Sequence, residues 1–189
     1  MAILDDVQSP LSEKDVSIWA NVKKWGLISA LVGIVFQLLN QISGIMNQSG
    51  VVIGLYTALS FGVSIALYVF ALREHRDQEL DGFMTFKRAF YLAFMIGLLS
   101  TVIVLIFNYI YMNFISPSAM DAQLETTRTM MEKFGMPEDK LDEAIEKQRQ
   151  SLSSPLSIVT GLFGAGIVVA ILSLIVAAIM KKERPMFGK

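Results

Sequence analysis

The chain of 189 residues contains no cysteine, an absence that removes disulfides, thiolate metal sites and cysteine nucleophiles together and leaves the redox compartment open. It has one histidine, His75, without the second histidine at i+4 that a helical zinc site needs. His75 stands among Glu74, Asp77, Glu79 and Asp81, and alternating charge of this kind predicts a solvated loop rather than an acid–base pair. Charge is scarce throughout, 17% of residues against about 25% in soluble domains. With 16 basic and 17 acidic residues, a net charge of −1, no overall field gathers nucleic acid. Gly161, Gly164 and Gly166 lack the lysine and the preceding strand of a phosphate loop, so they are assigned to packing. No catalytic residue, metal site or cofactor is assigned, and the chain is expected not to be an enzyme.

What the chain has instead is apolar length. Hydrophobic residues make up 53% of it, gathered into runs at about 25–46, 51–72, 89–115 and 156–180. A helix rises 1.5 Å per residue, so the first run reaches about 33 Å, enough for a hydrocarbon core of about 30 Å. None of the four runs contains Asp, Glu, Lys, Arg or His, which leaves no ionisable relay for protons across them. The predicted fold is all-α, an integral membrane four-helix bundle with an extramembrane helical hairpin, 116–154, between spans three and four.

Orientation follows from the charged stretch Arg73–Phe90 between spans two and three. Arg73, Arg76, Lys87 and Arg88 hold it on the cytoplasmic side, as Lys23 and Lys24 hold the segment 1–24 and Lys181, Lys182 and Arg184 hold the tail 181–189. Both termini are therefore expected to be cytoplasmic. Lys23, Lys24, Trp25, Lys87, Arg88, Lys181 and Lys182 are the candidate headgroup anchors, which makes membrane lipids the first expected partners. Ser9 and Pro10 form a helix-start signal. The helix after it, with Leu11, Val16, Ile18, Trp19 and Val22 on one side, is expected to lie on the membrane. Acidic residues ahead of the first apolar run, and no small-residue cleavage site after it, argue against a removed signal peptide.

Along span two, Gly50, Gly54, Ala58, Gly62 and Ala66 repeat every fourth residue, a small-residue ridge expected to receive another helix of the same chain. A second copy fits the same ridge, but packing within the chain takes precedence. Gln37, Asn40 and Gln41 share one face of span one. With Tyr56, Thr57 and Ser60, Asn108 and Tyr109, and Ser157 and Thr160, they form an uncharged polar set in the outer half of the spans. Two readings stand: interhelical hydrogen bonding, or a polar cavity lidded by the hairpin, for which Gln37, Asn40, Gln41, Tyr56, Asn108 and Tyr109 are the candidate lining. In the hairpin, Met120, Leu124, Met131 and Phe134 form one apolar stripe, with Thr127 in its gap. Leu141, Ala144, Ile145, Gln148 and Leu152 form the other, and Gly135 with Pro137 breaks the chain between them. Its surplus of methionine suggests a protein partner or contact with the membrane surface.

Lys24-Trp25-Gly26-Leu27-Ile28-Ser29, the stretch Asp81-Gly82-Phe83-Met84-Thr85-Phe86-Lys87-Arg88-Ala89-Phe90 with Gly97, the turn Gly135-Met136-Pro137-Glu138 and the closing Lys181-Lys182 carry a resemblance. The chain resembles, over roughly Lys24 to Lys182, the uncharacterised bacterial four-span membrane proteins of domain of unknown function 4199. The resemblance implies that topology and a bacterial inner-membrane setting; it implies no activity. The expected role is a structural or interaction subunit, with a small-solute carrier or channel using the outer polar cavity as the alternative.

Overall fold

The computed structural model describes residue 13, residues 15–45 and residues 49–183. The expected helix start at Ser9 and Pro10, and the last part of the basic tail, lie outside the described residues. Among those described the architecture is all-helical without strands: α1 Trp19–Ser43, α2 Gly50–Glu79, α3 Phe86–Ile110, α4 Pro117–Lys133, α5 Glu138–Ser153 and α6 Leu156–Met180. A π turn, Tyr111–Ile115, extends α3. Helices α1, α2, α3 with its π turn, and α6 are each long and apolar enough to cross a membrane.

Helix α3 is the centre of the bundle, packed on α1 and on α6. Small residues let it approach both. Leu99 and Val104 of α3 fill the space where Gly26 and Gly33 of α1 lack a side chain, and Leu105 does so at Gly161 of α6. The core concentrates at the end carrying the basic residues, where Ile18, Val22, Tyr68, Leu72, Leu80, Met84, Leu92, Ile96, Val176 and Met180 are buried together. Met84 and Lys182 exchange backbone hydrogen bonds of 2.8 and 2.9 Å. The turn after α2 and the chain after α6 are thereby tied at one end of the bundle.

The small-residue ridge faces the other way from the direction expected. Gly50, Gly54, Ala58, Gly62 and Ala66 are all exposed, and side chains added at Gly50, Gly54 or Gly62 would meet no atom within 4 Å. The bundle instead receives the stripe Tyr56, Ser60, Ser64 and Tyr68, two residues out of step with the ridge. Two residues are about 200° of helical turn, the opposite face. Tyr56 sets that rotation at one end, its ring against Phe36 and its hydroxyl donating to the Phe36 carbonyl. Tyr68 sets it at the other, its hydroxyl lying over the bare Cα of Gly97. Ser60 and Ser64 return their hydroxyls to their own helix, on the carbonyls of Tyr56 and Ser60, both at 2.9 Å, so they face inward without needing a partner.

The stretch Arg73–Phe90 is not a loop. Helix α2 has 30 residues, about 45 Å at 1.5 Å each, and its last two turns, Arg73–Glu79, project past a hydrocarbon core of about 30 Å. Only Leu80 to Thr85 connect α2 to α3. The expected surface helix before span one is likewise corrected. Trp19 begins α1 and the helix continues unbroken to Ser43. Ile18 and Val22 are buried in the bundle, with Val16 packed on them, because Leu72 and Ala89 at this level leave an apolar end that they cover.

Helices α4 and α5 form an antiparallel pair, shown by the crossed ion pairs Asp121–Arg149 at 2.8 Å and Arg128–Asp142 at 3.0 Å. Gly135, at φ 78°, closes α4. The Met136 N–H bonds to the Met131 carbonyl and the Gly135 N–H to the Glu132 carbonyl, a Schellman ending that requires the left-handed residue. Met120 and Leu124 are buried against Met112 of the π turn, with Ile145 and Leu152. Phe134, expected in that stripe, is 85% exposed at the tip, because the turn carries it beyond the reach of α5.

Candidate functional sites at the two ends of the bundle

At the hairpin end, α4 lies over the open ends of α1 and α3 and encloses a chamber of about 510 Å³, within the range of small-molecule sites. Gln37, Asn40 and Gln41 enter it from α1 and Asn108 from α3; Gln123, Thr126 and Thr127 close it from α4. Among the described residues no charged one lines it. The Gln37 amide donates to Asn108 Oδ1 at 2.5 Å, spanning its floor between the two helices. Among the described residues Asn40 Oδ1 and Gln41 Oε1 have no hydrogen-bond partner and are buried from water, so neither oxygen is open to the chamber, and each unpaired group costs about 1–3 kcal/mol.

The π turn contributes Tyr111 and Met112. Its i→i+5 bond, Ser116 N–H to the Tyr111 carbonyl at 2.7 Å, widens the helix where the chamber needs room, a form often found at functional sites. Two of the expected lining residues are elsewhere. Tyr56 is occupied with Phe36, and the Tyr109 ring packs edge-on against Phe114. Thr57, Ser157 and Thr160 also stay outside the chamber lining; Thr57 and Thr160 bond to carbonyls of their own helices. A second space of about 430 Å³, between α2 and the other spans, is lined by the hydroxyls of Ser29, Ser60, Ser64, Tyr68, Ser100 and Thr101 among apolar groups.

At the basic end the expectation of a solvated His75 fails. The side chain is 0% exposed. Arg88 donates to its Nε2 through Nε at 3.2 Å and Nη2 at 3.1 Å. An arginine only donates, so Nε2 accepts, the ring proton lies on Nδ1 and His75 is neutral. Nδ1 faces Glu79 Oε2 at 3.2 Å, while the Asn21 amide donates to the other oxygen of Glu79. Burial pushes the His75 pKa below its usual value; Glu79 opposes that shift and Arg88 reinforces it. The residue is legible in sequence as the continuation of one face, Tyr68, Ala71, Leu72, His75 and Glu79 at i, i+3, i+4, i+7 and i+11, all but the last buried. Reading the charged stretch as loop hid it.

Arg88 is therefore a half-buried tie between α2 and the residues before α1. Lys24 pairs with Glu74 at 2.6 Å and the Trp25 indole donates to the same carboxylate at 3.1 Å, so these two also fasten α1 to α2. Lys23, Lys87, Lys181 and Lys182 remain exposed at this end, the placement that headgroup contact requires.

Four apolar helices with uncharged interiors, a polar helix pair between the third and fourth, and exposed lysines at the opposite end define a multi-pass membrane protein. Its family follows from the sequence itself: residues 24–182 match the family described as "Protein of unknown function (DUF4199)", and the chain belongs to it. No curated protein and no solved structure matches the chain.

Proposed function

We propose that this is a non-catalytic inner-membrane protein that holds a small, uncharged, hydrogen-bond-donating solute in the chamber beneath the α4–α5 hairpin. The observation that carries the reading is the uncharged amide and hydroxyl lining, Gln37, Asn40, Gln41, Asn108, Gln123 and Thr126, among the described residues around the chamber. A carboxylate or an amine would enter without a counter-charge, which low-dielectric surroundings penalise heavily. A neutral donor meets no such barrier. In this reading the hairpin lies outside the cytoplasm as a lid and both termini lie inside.

The cysteine-free chain makes the test direct. A cysteine at Gln41 should react with an impermeant thiol reagent, and 10 mM urea, a neutral donor, should slow it while leaving Lys140→Cys unaffected. Labelling at Gln41 as slow as at Val35, which faces away from the bundle, would show a sealed site and end the reading. Lys140→Cys should label in intact cells and Gln78→Cys should not; the reverse would overturn the orientation.

A second reading, a subunit that docks a further membrane helix, is favoured by the outward ridge Gly54, Ala58, Gly62 and Ala66, which lets a backbone approach closely. Crosslinking from Ala58→Cys to a second polypeptide, abolished by Leu at Gly54, would support it; crosslinking to lipid alone would not.

A further inference from the structure

The residues just before α1 cross the basic end of the bundle and are fastened there by three polar ties. Glu13 accepts from the Thr85 N–H at 2.6 Å and from the Thr85 hydroxyl at 2.7 Å. Arg88 Nη2 donates to the Val16 carbonyl. The same guanidinium is positioned by His75 Nε2. Beneath the ties, Val16 and Ile18 cover the end of the core. The tie at Val16 therefore comes from one arginine whose position depends on an acceptor that exists only while His75 is neutral, while Glu13 stays bonded to Thr85.

We propose that Glu13 and residues 15–18 form a proton-operated strap, whose tie at Val16 is released from the basic end of the bundle by protonation of His75. A proton added at Nε2 removes the acceptor for both Arg88 bonds and places two cations about 3 Å apart in a half-buried site. At that separation the repulsion is several kcal/mol even at an effective dielectric constant of about 20. The guanidinium is the mobile partner, because His75 is buried in α2 and held by Glu79. When it leaves, the Val16 carbonyl loses its donor.

Glu79 lies on the same helix as His75, Arg88 on α3 and Glu13 on the strap. From α1 the neighbour is the neutral Asn21. From α6 the core at this level receives Val176, Ala177 and Met180, all apolar. Glu79 favours the protonated form, so uptake is not forbidden; it is delayed to below the ordinary histidine range. The released strap would uncover the apolar end around Leu72 and Ala89, next to the exposed lysines. Mild acidity is thereby converted into a change of surface at one membrane face.

The test uses the full chain in nanodiscs, with nitroxide labels on Asp15→Cys and Lys87→Cys, both exposed positions, and distances read by electron spin resonance. This readout does not itself depend on thiol ionisation at the time of measurement. At pH 7.5 a single short distance is expected; acidification should replace it with a broad, longer distribution, with a midpoint below the ordinary histidine value. His75→Gln, which stays neutral, should keep the short distance throughout, and Arg88→Gln should give the long one at both ends of the range. No change on acidification would overturn the proposal. So would acid release that persists in His75→Gln. Should His75→Gln fail to fold, Arg88→Gln decides: a short distance in that variant at pH 7.5 would overturn the proposal.

Discussion

Gly97 is the position at which the packing of this bundle can be tested most sharply. A Cβ there would lie 2.3 Å from Tyr68 Oη and 2.4 Å from Val169 Cγ1, well inside contact distance. Neither neighbour yields easily. Tyr68 is 6% exposed and Val169 7%, and a valine in a helix has essentially one rotamer. Forcing a methyl into such a site costs about 1–3 kcal/mol. Gly54 is the natural reference, since a Cβ there meets nothing within 4 Å. Replacing either glycine by alanine in mid-helix gains about 0.5–1 kcal/mol from the backbone. That gain is common to both variants, so the difference between Gly97→Ala and Gly54→Ala isolates the clash at about 1–3 kcal/mol.

For a chain of this length, about 2–4 °C per kcal/mol turns this into a gap of about 2–12 °C in Tm, read by circular dichroism in detergent. Tyr68→Phe, which removes the nearer of the two atoms, should recover part of the loss in the Gly97→Ala background and little or none in the Gly54→Ala background. Equal Tm values for the two alanine variants would refute the close approach of α2 and α6 to α3 at this level.

The outward ridge implies that Ala58→Leu changes the thermal stability of the isolated chain by no more than about 0.5 kcal/mol, whereas a buried ridge would lose several times that. His75 makes stability pH-dependent with a defined sign. Its folded pKa is lowered by burial, so the unfolded chain takes up the proton first. Stability is full above about pH 6.5 and falls as pH drops toward the folded value, with a slope approaching about 1.4 kcal/mol per pH unit; urea titration at pH 7.5 and 5.5 reads it, and His75→Gln should flatten it. A double-mutant cycle of Gln37→Leu and Asn108→Leu should return a coupling of about 0.6 kcal/mol and no more than about 1.7; zero coupling would remove the bond from the chamber floor.

The number of spans, their approximate limits, the helical class and the helix pair between spans three and four could be read directly from the residues. Those features depend on quantities local to the chain: twenty-odd apolar residues without a charge, a Gly135–Pro137 break, stripes at helical spacing. The inward Gln37, Asn40, Gln41 and Asn108 were also legible, because amides at that depth avoid lipid whatever the fold. The direction in which α2 faces was not. Its outer half carries no charge, and its Tyr56, Thr57 and Ser60 spread around the helix, so hydropathy assigns it no inner side, and a small-residue stripe suits a lipid-facing position as well as a packed one. Only the seating of Tyr56 on Phe36 and of Tyr68 over Gly97, contacts between residues 20 and 29 positions apart, selected the hydroxyl face over the ridge. The burial of His75 was decided in the same way. A charged stretch is solvated by default, and it took Asn21, Arg88 and the strap, brought together from three separate segments, to enclose one imidazole and set its Nε2 as the acceptor for Arg88.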